Sequence, residues 1–323
     1  MRSILAVSDL TPGSDRALST AAGIAVRKGA ELHIVHSMEI VGMPLREAVH
    51  TDLGRRIRDA ESALAEQVRR AVPDHCPIAS CALDFQRIQH SVLLRAREVG
   101  ADLLVLGAAD PPSPGGAGHL RALHGLVGLA PVPCLLVRSP LGHALARVLV
   151  PLSAAEVGQG VLADACGWLT SFHAPAPAEP PMTELQVLHV ATGTRGWHDL
   201  APDLDREVRR VGEQRRWSTR LQISRSILWN GAPQTEILRV ADADAPDLVL
   251  LGPSCGGAGS PELLHEARTL LLRRLPCSVV VLPGRSTSGD ERGGCAKHTP
   301  PREVADWDPA EPVDAMQLAA GGD

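Results

Sequence analysis

Two glycine-rich segments contain the residues of this chain best suited to ligand chemistry. They cover residues 112–118 and 253–259 and share the pattern Pro-Ser-x-Gly-Gly-Ala-Gly. Glycines allow a backbone to approach a phosphate closely, and the amides of a following helix N-terminus attract anions. The glycines concerned are Gly115, Gly116 and Gly118, and Gly256, Gly257 and Gly259. We weigh an anion site of altered spacing against a flexible connection at the sheet edge, and favour the connection because glycine-rich loops alone are weak evidence.

Other reactive side chains do not form a recognisable catalytic group. His36 and His189 each end an apolar strand without a recurring carboxylate or nucleophile, so we predict partly buried structural histidines. The seven cysteines lack the spacing of a disulfide framework or a zinc site, which favours reduced thiols and no metal. Cys134 and Cys277 begin apolar strands and are predicted to pack in the core. With no Gly-x-Ser-x-Gly elbow, complete Walker loop or zinc-protease helix, we predict no catalytic residue.

The elements that would position the glycine-rich segments occur twice, about 145 residues apart. The clearest repeat is the apolar run ending in glycine at 100–107 and again at 245–252. Continuous apolar runs alternating with amphipathic segments predict parallel strands buried on both faces, joined by helices. The fold class is therefore α/β, with two tandem Rossmann-like or flavodoxin-like domains, each a five-stranded parallel sheet with about four helices. The first helices are predicted at 15–28 and 154–172, and the long charged helices at 45–72 and 199–217.

Composition divides the chain into two domains and a tail. We predict one domain over residues 1–139 and a second over 146–283, joined by a short linker. Residues 284–323 shift to Gly, Pro, Ser and charge without apolar periodicity, which predicts a disordered, acidic tail.

Composition also excludes several classes of partner. The formal net charge is -5 and aromatic residues make up 2% of the chain, so neither phosphate attraction nor base stacking favours nucleic acid. No run is apolar enough for a membrane helix, and the first ten residues do not form a signal peptide. We therefore expect a cytoplasmic protein with neither nucleic-acid nor membrane partners.

The order of these elements resembles the universal stress protein family, from residue 2 to residue 283. The resemblance rests on Asp9 after the first strand, on His36 and His189, on the strands ending at Gly107 and Gly252, and on the Pro-Cys pairs before the last strands. ATP-binding members of this family carry a Gly, two residues, a Gly, nine residues, and then Gly followed by Ser or Thr. The resemblance implies that Gly107 and Gly252 begin this motif.

Both halves depart from that motif. Asp110 stands where the first half needs its second glycine, and a carboxylate there would repel phosphate. The second half misses that glycine by one position. The final Gly-Ser pair would fall on Leu120-Arg121 and on His265-Glu266, none of which fits.

In the part of the family's nucleotide site that binds the base, each half keeps a different matching residue. Asp9 matches the family aspartate that holds the adenine or ribose edge, whereas the second half has Ser153. Val190 matches the apolar residue after the second strand, whereas the first half has Ser37. The resemblance therefore implies a different remnant of the site in each half.

Three functions remain open. The leading hypothesis is a non-enzymatic stress-response or signalling module with degenerate nucleotide sites, which needs no cofactor and acts through an unknown protein partner. The alternative is a switch that retains weak ATP or AMP binding in one or both domains. The third is a thiol-based redox sensor, with Cys255 as its candidate. The resemblance further implies that the last strands of the halves pair as an intramolecular pseudo-dimer, and a homodimer stays open.

Overall fold

A computed structural model describes most of both halves of the chain. The described residues are 1–38, 53–108, 125–142, 145–173, 182–191, 197–213, 221–229, 231–253, 261–284 and 302–303. The strands of the first half are β1 Ser3–Ser8, β2 Glu31–Ser37, β3 Ile78–Asp84, β4 Leu103–Gly107 and β5 Cys134–Val137. Those that follow are β6 Arg147–Leu152, β7 Thr183–Ala191, β8 Leu221–Trp229, β9 Leu248–Leu251, β10 Ser278–Val281 and β11 Arg302–Glu303. The helices are α1 Pro12–Lys28, α2 Leu53–Ala71, α3 Ile88–Glu98, α4 Val161–Phe172, α5 Trp197–Glu213, α6 Pro233–Asp244 and α7 Pro261–Arg274.

The eleven strands of the described residues form one sheet in the order β11-β3-β2-β1-β4-β5-β10-β9-β6-β7-β8. Strands β1 to β5 are parallel to one another, and so are β6 to β10. The two sets meet where β5 and β10 pair antiparallel, with Leu136 opposite Val279. The prediction of two α/β halves with five parallel strands each is confirmed.

The strands form because their residues are apolar on both faces, as expected of a parallel sheet covered by helices. Every residue of β1 is buried, and the same holds for β5, β9 and β10. Helix α1 packs on β1 and β4 through alanines and leucine at helical spacing, among them Ala17, Leu18 and Ala21, all fully buried. Burying each large aliphatic side chain contributes about 2 kcal/mol.

Helices and side chains also join the two halves. The Arg138 guanidinium, at the end of β5, donates to the Leu272 carbonyl oxygen of α7 at 2.9 Å. On the other face, Lys28 Nζ donates to the His173 carbonyl oxygen at 2.6 Å, and Arg27 lies 5.4 Å from the centre of the Phe172 ring. The halves are therefore linked through the sheet and through α1 against the end of α4.

Several predicted boundaries differ from the structure. Helix α4 begins at Val161 rather than residue 154, because residues 154–160 form turns with left-handed backbones at Gly158 (φ 81°) and Gly160 (φ 83°). Helix α1 begins at Pro12, three residues earlier than predicted, since proline is preorganised for the first helical position. Helix α5 begins at Trp197, two residues earlier than predicted.

The segment after residue 283, predicted as a disordered tail, contributes one described element. This is β11, which pairs antiparallel with β3; residues 285–301 and 304–323 lie outside the described part of the chain. Within the described residues, no helix combines the length and apolar character needed to cross a membrane.

Candidate functional site

The carboxyl ends of β1 and β4 form the candidate site of the first half. Asp9 follows β1 and is half-buried, and its Oδ1 accepts from the Thr11 amide at 3.0 Å and from Thr11 Oγ1 at 2.5 Å. The aspartate expected to hold a ligand therefore orders the loop that enters α1. Its position at a strand end beside a helix N-terminus is nevertheless where doubly wound folds bind ligands.

Gln67 of α2, which is 1% exposed, connects this loop to the next helix. Its Oε1 accepts from Ser8 Oγ at 2.5 Å, and its Nε2 donates to Ser14 Oγ at 2.9 Å and to Asp15 Oδ1 at 2.6 Å. Arg70 then pairs with the same aspartate at 2.9 Å. Because every polar atom of the amide is used, this network fixes the first turn of α1 against α2.

Gly107, the predicted first glycine of a phosphate loop, lies directly against the first turn of α1. A Cβ added to Gly107 would lie 2.5 Å from the carbonyl carbon of Gly13 and 2.8 Å from the amide nitrogen of Ser14. A Cβ on Gly13 would likewise lie 2.7 Å from the Ala108 carbonyl oxygen. Close packing of the helix on the strand thus accounts for a glycine at 107 without any ligand.

The two predicted structural histidines occupy equivalent positions. His36 Nδ1 donates to the Ser8 carbonyl oxygen at 2.9 Å, and His189 Nδ1 donates to the Leu152 carbonyl oxygen at 2.8 Å. Both side chains are buried. Each histidine therefore joins the end of a second strand to the end of the first strand beside it.

The burial of His36 and His173 predicts a stability that depends on pH. Loss of solvent lowers the pKa of His36, partly offset by the Ser8 carbonyl and the Asp9 charge. Burial likewise lowers the pKa of His173, partly offset by the Leu169 carbonyl, with Lys28 and Arg27 lowering it further. Below the unfolded pKa of about 6.5 the unfolded chain binds these protons more readily, so we expect the free energy of unfolding to fall as the pH falls.

Urea unfolding at a series of pH values from 7.5 to 5 measures this effect. Replacing His36 and His173 together by asparagine, which can still donate near the Nδ1 position, is expected to flatten the decline. The exposed His90→Asn is the control and keeps it. An equal slope in the double variant and the parent would show that other groups cause the acid sensitivity.

A buried carboxylate lies at the matching strand ends of the second half. Glu156 is 0% exposed, and its Oε2 accepts from the Ser153 amide at 2.9 Å and from Ser153 Oγ at 2.8 Å. A Cβ on Gly252, at the end of β9, would overlap the Glu156 carboxyl group, whose Cδ would be 2.8 Å away. The glutamate therefore lies against the second predicted phosphate-loop glycine, where its charge would repel an anion.

Glu207 of α5 closes the same region from the other side. It is 4% exposed, and its Oε2 accepts from the Gly158 amide at 2.6 Å, while Arg210 approaches its Oε1 at 3.9 Å. Burial and, to a smaller extent, the neighbouring Glu207 raise the pKa of Cys166 to about 12. The turn at 154–160 is thus held onto α5 as the first turn of α1 is held onto α2.

The structure brings some predicted residues together and leaves others untested. Asp9 and Gly107 lie at the first set of strand ends, and Gly252 and the buried Val190 at the second. His265 and Glu266 lie inside α7, which begins at Pro261, rather than at its N-terminus. The remaining predicted residues lie outside the described part of the chain: Gly115, Gly116, Gly118, Gly256, Gly257, Gly259, Asp110, Leu120, Arg121 and Cys255.

Sequence reasoning missed Gln67, Glu156 and Glu207, although signals for them exist. Gln67 follows Leu64 by three positions, and Glu207 follows Leu204 by three, so each polar residue lies on the apolar stripe of its helix. Ser153 and Glu156 have the Ser-x-x-Glu spacing in which the glutamate accepts from the backbone amide of the serine.

Neither metal nor thiol chemistry gains support from the described residues. They contain no cluster of three or more His, Cys, Asp or Glu side chains that could hold a metal ion. Cys76, Cys81, Cys134, Cys166 and Cys277 are buried and form no disulfide bond. Burial raises the pKa of Cys134 to about 12, and burial chiefly raises that of Cys277 to about 11, which disfavours the reactive thiolate.

Comparison with known proteins finds a family match for the first half and a fold match for both halves. A model of the universal stress protein family matches residues 1–138. The chain is similar to the crystal structure of a universal stress protein from Archaeoglobus fulgidus, with 15% identity, a TM-score of 0.57, and coverage of 87% of this chain and 96% of that one. It is also similar to a functionally unknown protein from Pseudomonas aeruginosa, with 16% identity, a TM-score of 0.52, and coverage of 88% and 92%.

At such identities these structures show the fold alone, and no curated protein matches the chain. The family model covers the first half, and the two structural matches extend the same architecture across both halves. Residues 1–138 therefore match the universal stress protein family, and the second half repeats the fold of the first.

Proposed function

We propose that this protein is a non-enzymatic stress-response module that acts through a protein partner, its nucleotide sites having become part of its own packing. The observation that carries this proposal is Glu156, whose buried carboxyl group lies against Gly252 at the second set of strand ends. A phosphate there would face a carboxylate at close range in a region of low dielectric. Tight nucleotide binding in the second half is therefore disfavoured. The proposal retains the cytoplasmic location expected from the sequence.

A second candidate, weak ATP or AMP binding, applies to the first half. There the atoms nearest to a Cβ on Gly107 are backbone atoms of Gly13 and Ser14 rather than a carboxylate. Asp9 remains at the end of β1, in the position the family uses for the adenine or ribose edge. The switch hypothesis therefore concerns the first half of the chain, and Asp9 is the residue whose substitution tests it.

A thermal-shift titration with ATP, ADP and AMP, with and without magnesium, tests the proposal. A ligand that binds only the folded chain stabilises it by about 2.7 kcal/mol at a hundred times its dissociation constant. We expect no rise in Tm for the parent at millimolar nucleotide, and a rise for Glu156→Ala, in which the carboxylate is absent. Glu156→Gln separates charge from volume, because the amide fills the same space without repelling phosphate.

A rise in Tm for the parent would contradict the proposal. If Asp9→Ala then abolished the rise, the ligand would lie in the first half and the switch hypothesis would replace ours. If Asp9→Ala left it intact, the glycine-rich segments or the second half would hold the ligand.

A further inference from the structure

The outer strand of the first half, β3, is paired on both sides. On its inner side β3 runs parallel to β2, with Cys81 to Asp84 opposite Ile34 to Ser37. On its outer side it pairs antiparallel with β11, with Leu83 opposite Arg302 and Ala82 opposite Glu303. The edge of the first half is therefore occupied by residues that follow the second half in the chain.

The chain reaches this position from the middle of the sheet. Strand β10 lies six positions from β11, which corresponds to about 29 Å at the usual spacing between strands. Residues 282–301 connect them and can span about 66 Å when extended. The connection is thus long enough to deliver β11 to β3 without stretching, and long enough to release it without disturbing β10.

The edge of β3 has the properties of a strand-docking surface. The side chains of Ala82 and Leu83 are fully buried, so this part of the strand is held firmly by the core. An outer strand presents a row of backbone donors and acceptors, which pair readily with any extended segment of suitable length. Recognition of this kind depends on main-chain hydrogen bonds and tolerates different side chains.

We propose that the outer edge of β3 is a docking site for one extended antiparallel strand of a protein partner, and that Arg302–Glu303 occupies it in the free chain. The docking of a protein partner on β3 rests on the proposed function. The pairing of Arg302–Glu303 with β3 in the free chain rests on the structure itself. Tethering gives the internal strand an effective concentration in the millimolar range, so a partner must compete with it. The C-terminal segment thereby sets a threshold for partner binding.

Two chains and three peptides test this proposal. The first chain is the full protein, the second ends after Pro301, and the labelled peptide has the sequence of residues 297–306. We expect the peptide to bind the shortened chain and to bind the full chain at least tenfold more weakly. A peptide with both Arg302→Pro and Glu303→Pro, which lacks the two amide donors, is expected not to bind. A peptide with both residues replaced by alanine is the matched control and is expected to bind.

Hydrogen exchange of residues 78–84 gives a second measurement on intact protein. Exchange in this strand is expected to be faster in the full chain carrying Arg302→Pro and Glu303→Pro than in the parent, and faster again in the shortened chain. Unchanged exchange in both variants would overturn internal occupancy, and equal peptide affinity for the two chains would overturn competition. Either failure is independent of the nucleotide titration, so the docking proposal and the proposed function can fail separately.

Discussion

Phe172→Ala is expected to lower the free energy of unfolding by about 4 kcal/mol. Among the described residues, Phe172 is the largest fully buried side chain; it ends α4 and stacks on Trp168 with ring centroids 5.2 Å apart. Arg27 of the other half lies over the Phe172 ring, with its guanidinium carbon 5.4 Å from the ring centre. Truncation would leave a cavity at the contact between α4 and α1, which cannot close without moving one half against the other.

Equilibrium urea unfolding of the parent and variant measures this loss. Phe172→Leu is the control, because it keeps most of the volume and is expected to cost about 1 kcal/mol. If alanine and leucine gave the same small loss, Phe172 would not be a principal contact between the halves.

Gly107→Ala is expected to destabilise the chain by about 3 kcal/mol. The added methyl group would lie 2.5 to 2.8 Å from backbone atoms of Gly13 and Ser14, which cannot rotate away as a side chain could. The first turn of α1 would have to lift from β4, and the contacts of Gln67 with Ser14 and Asp15 would be strained with it.

The matched control is Gly212→Ala in α5. A Cβ at this exposed helical position meets nothing within 4 Å, so alanine is expected to stabilise the helix by up to about 1 kcal/mol. Urea midpoints of both variants, compared with that of the parent, measure the expected loss at Gly107 and the expected gain at Gly212. A Gly107→Ala midpoint equal to that of the parent would mean that α1 does not rest on β4 as described.

The sequence predicts the strands of this fold more completely than its site. Continuous apolar runs such as those ending at Gly107 and Gly252 indicate strands buried on both faces, and the repeat indicates two equivalent halves. The start of α4 was mispredicted because Ala154 and Ala155 suit a helix, whereas the backbone at Gly158 and Gly160 is left-handed. Local propensity could not anticipate that choice, which depends on the contact of Gly158 with Glu207.

The candidate site was harder to predict because its key residues act through tertiary contacts. Glycine at 107 is compatible with a phosphate loop or with close helix packing, and only the position of Gly13 distinguishes the two. In the same way, the burial of Glu156 follows from the arrival of β9 beside β6, about a hundred residues later in the chain. The role predicted for the glycine-rich segments, a flexible connection or an anion site, stays a prediction.

The antiparallel pairing of β5 with β10 has a consequence for stoichiometry. Because strands of the two halves run in opposite directions, the carboxyl ends of β1 and β4 lie along one rim of the shared sheet, and those of β6 and β9 along the other. A rigid body approaching either rim meets the loops that follow the strands of only one half, because the other half presents there the loops that precede its strands. The tandem chain is therefore expected to present two separate binding rims, each with one site, rather than one bivalent surface. A substitution at Glu156 and one at Asp9 would then affect the binding of different molecules.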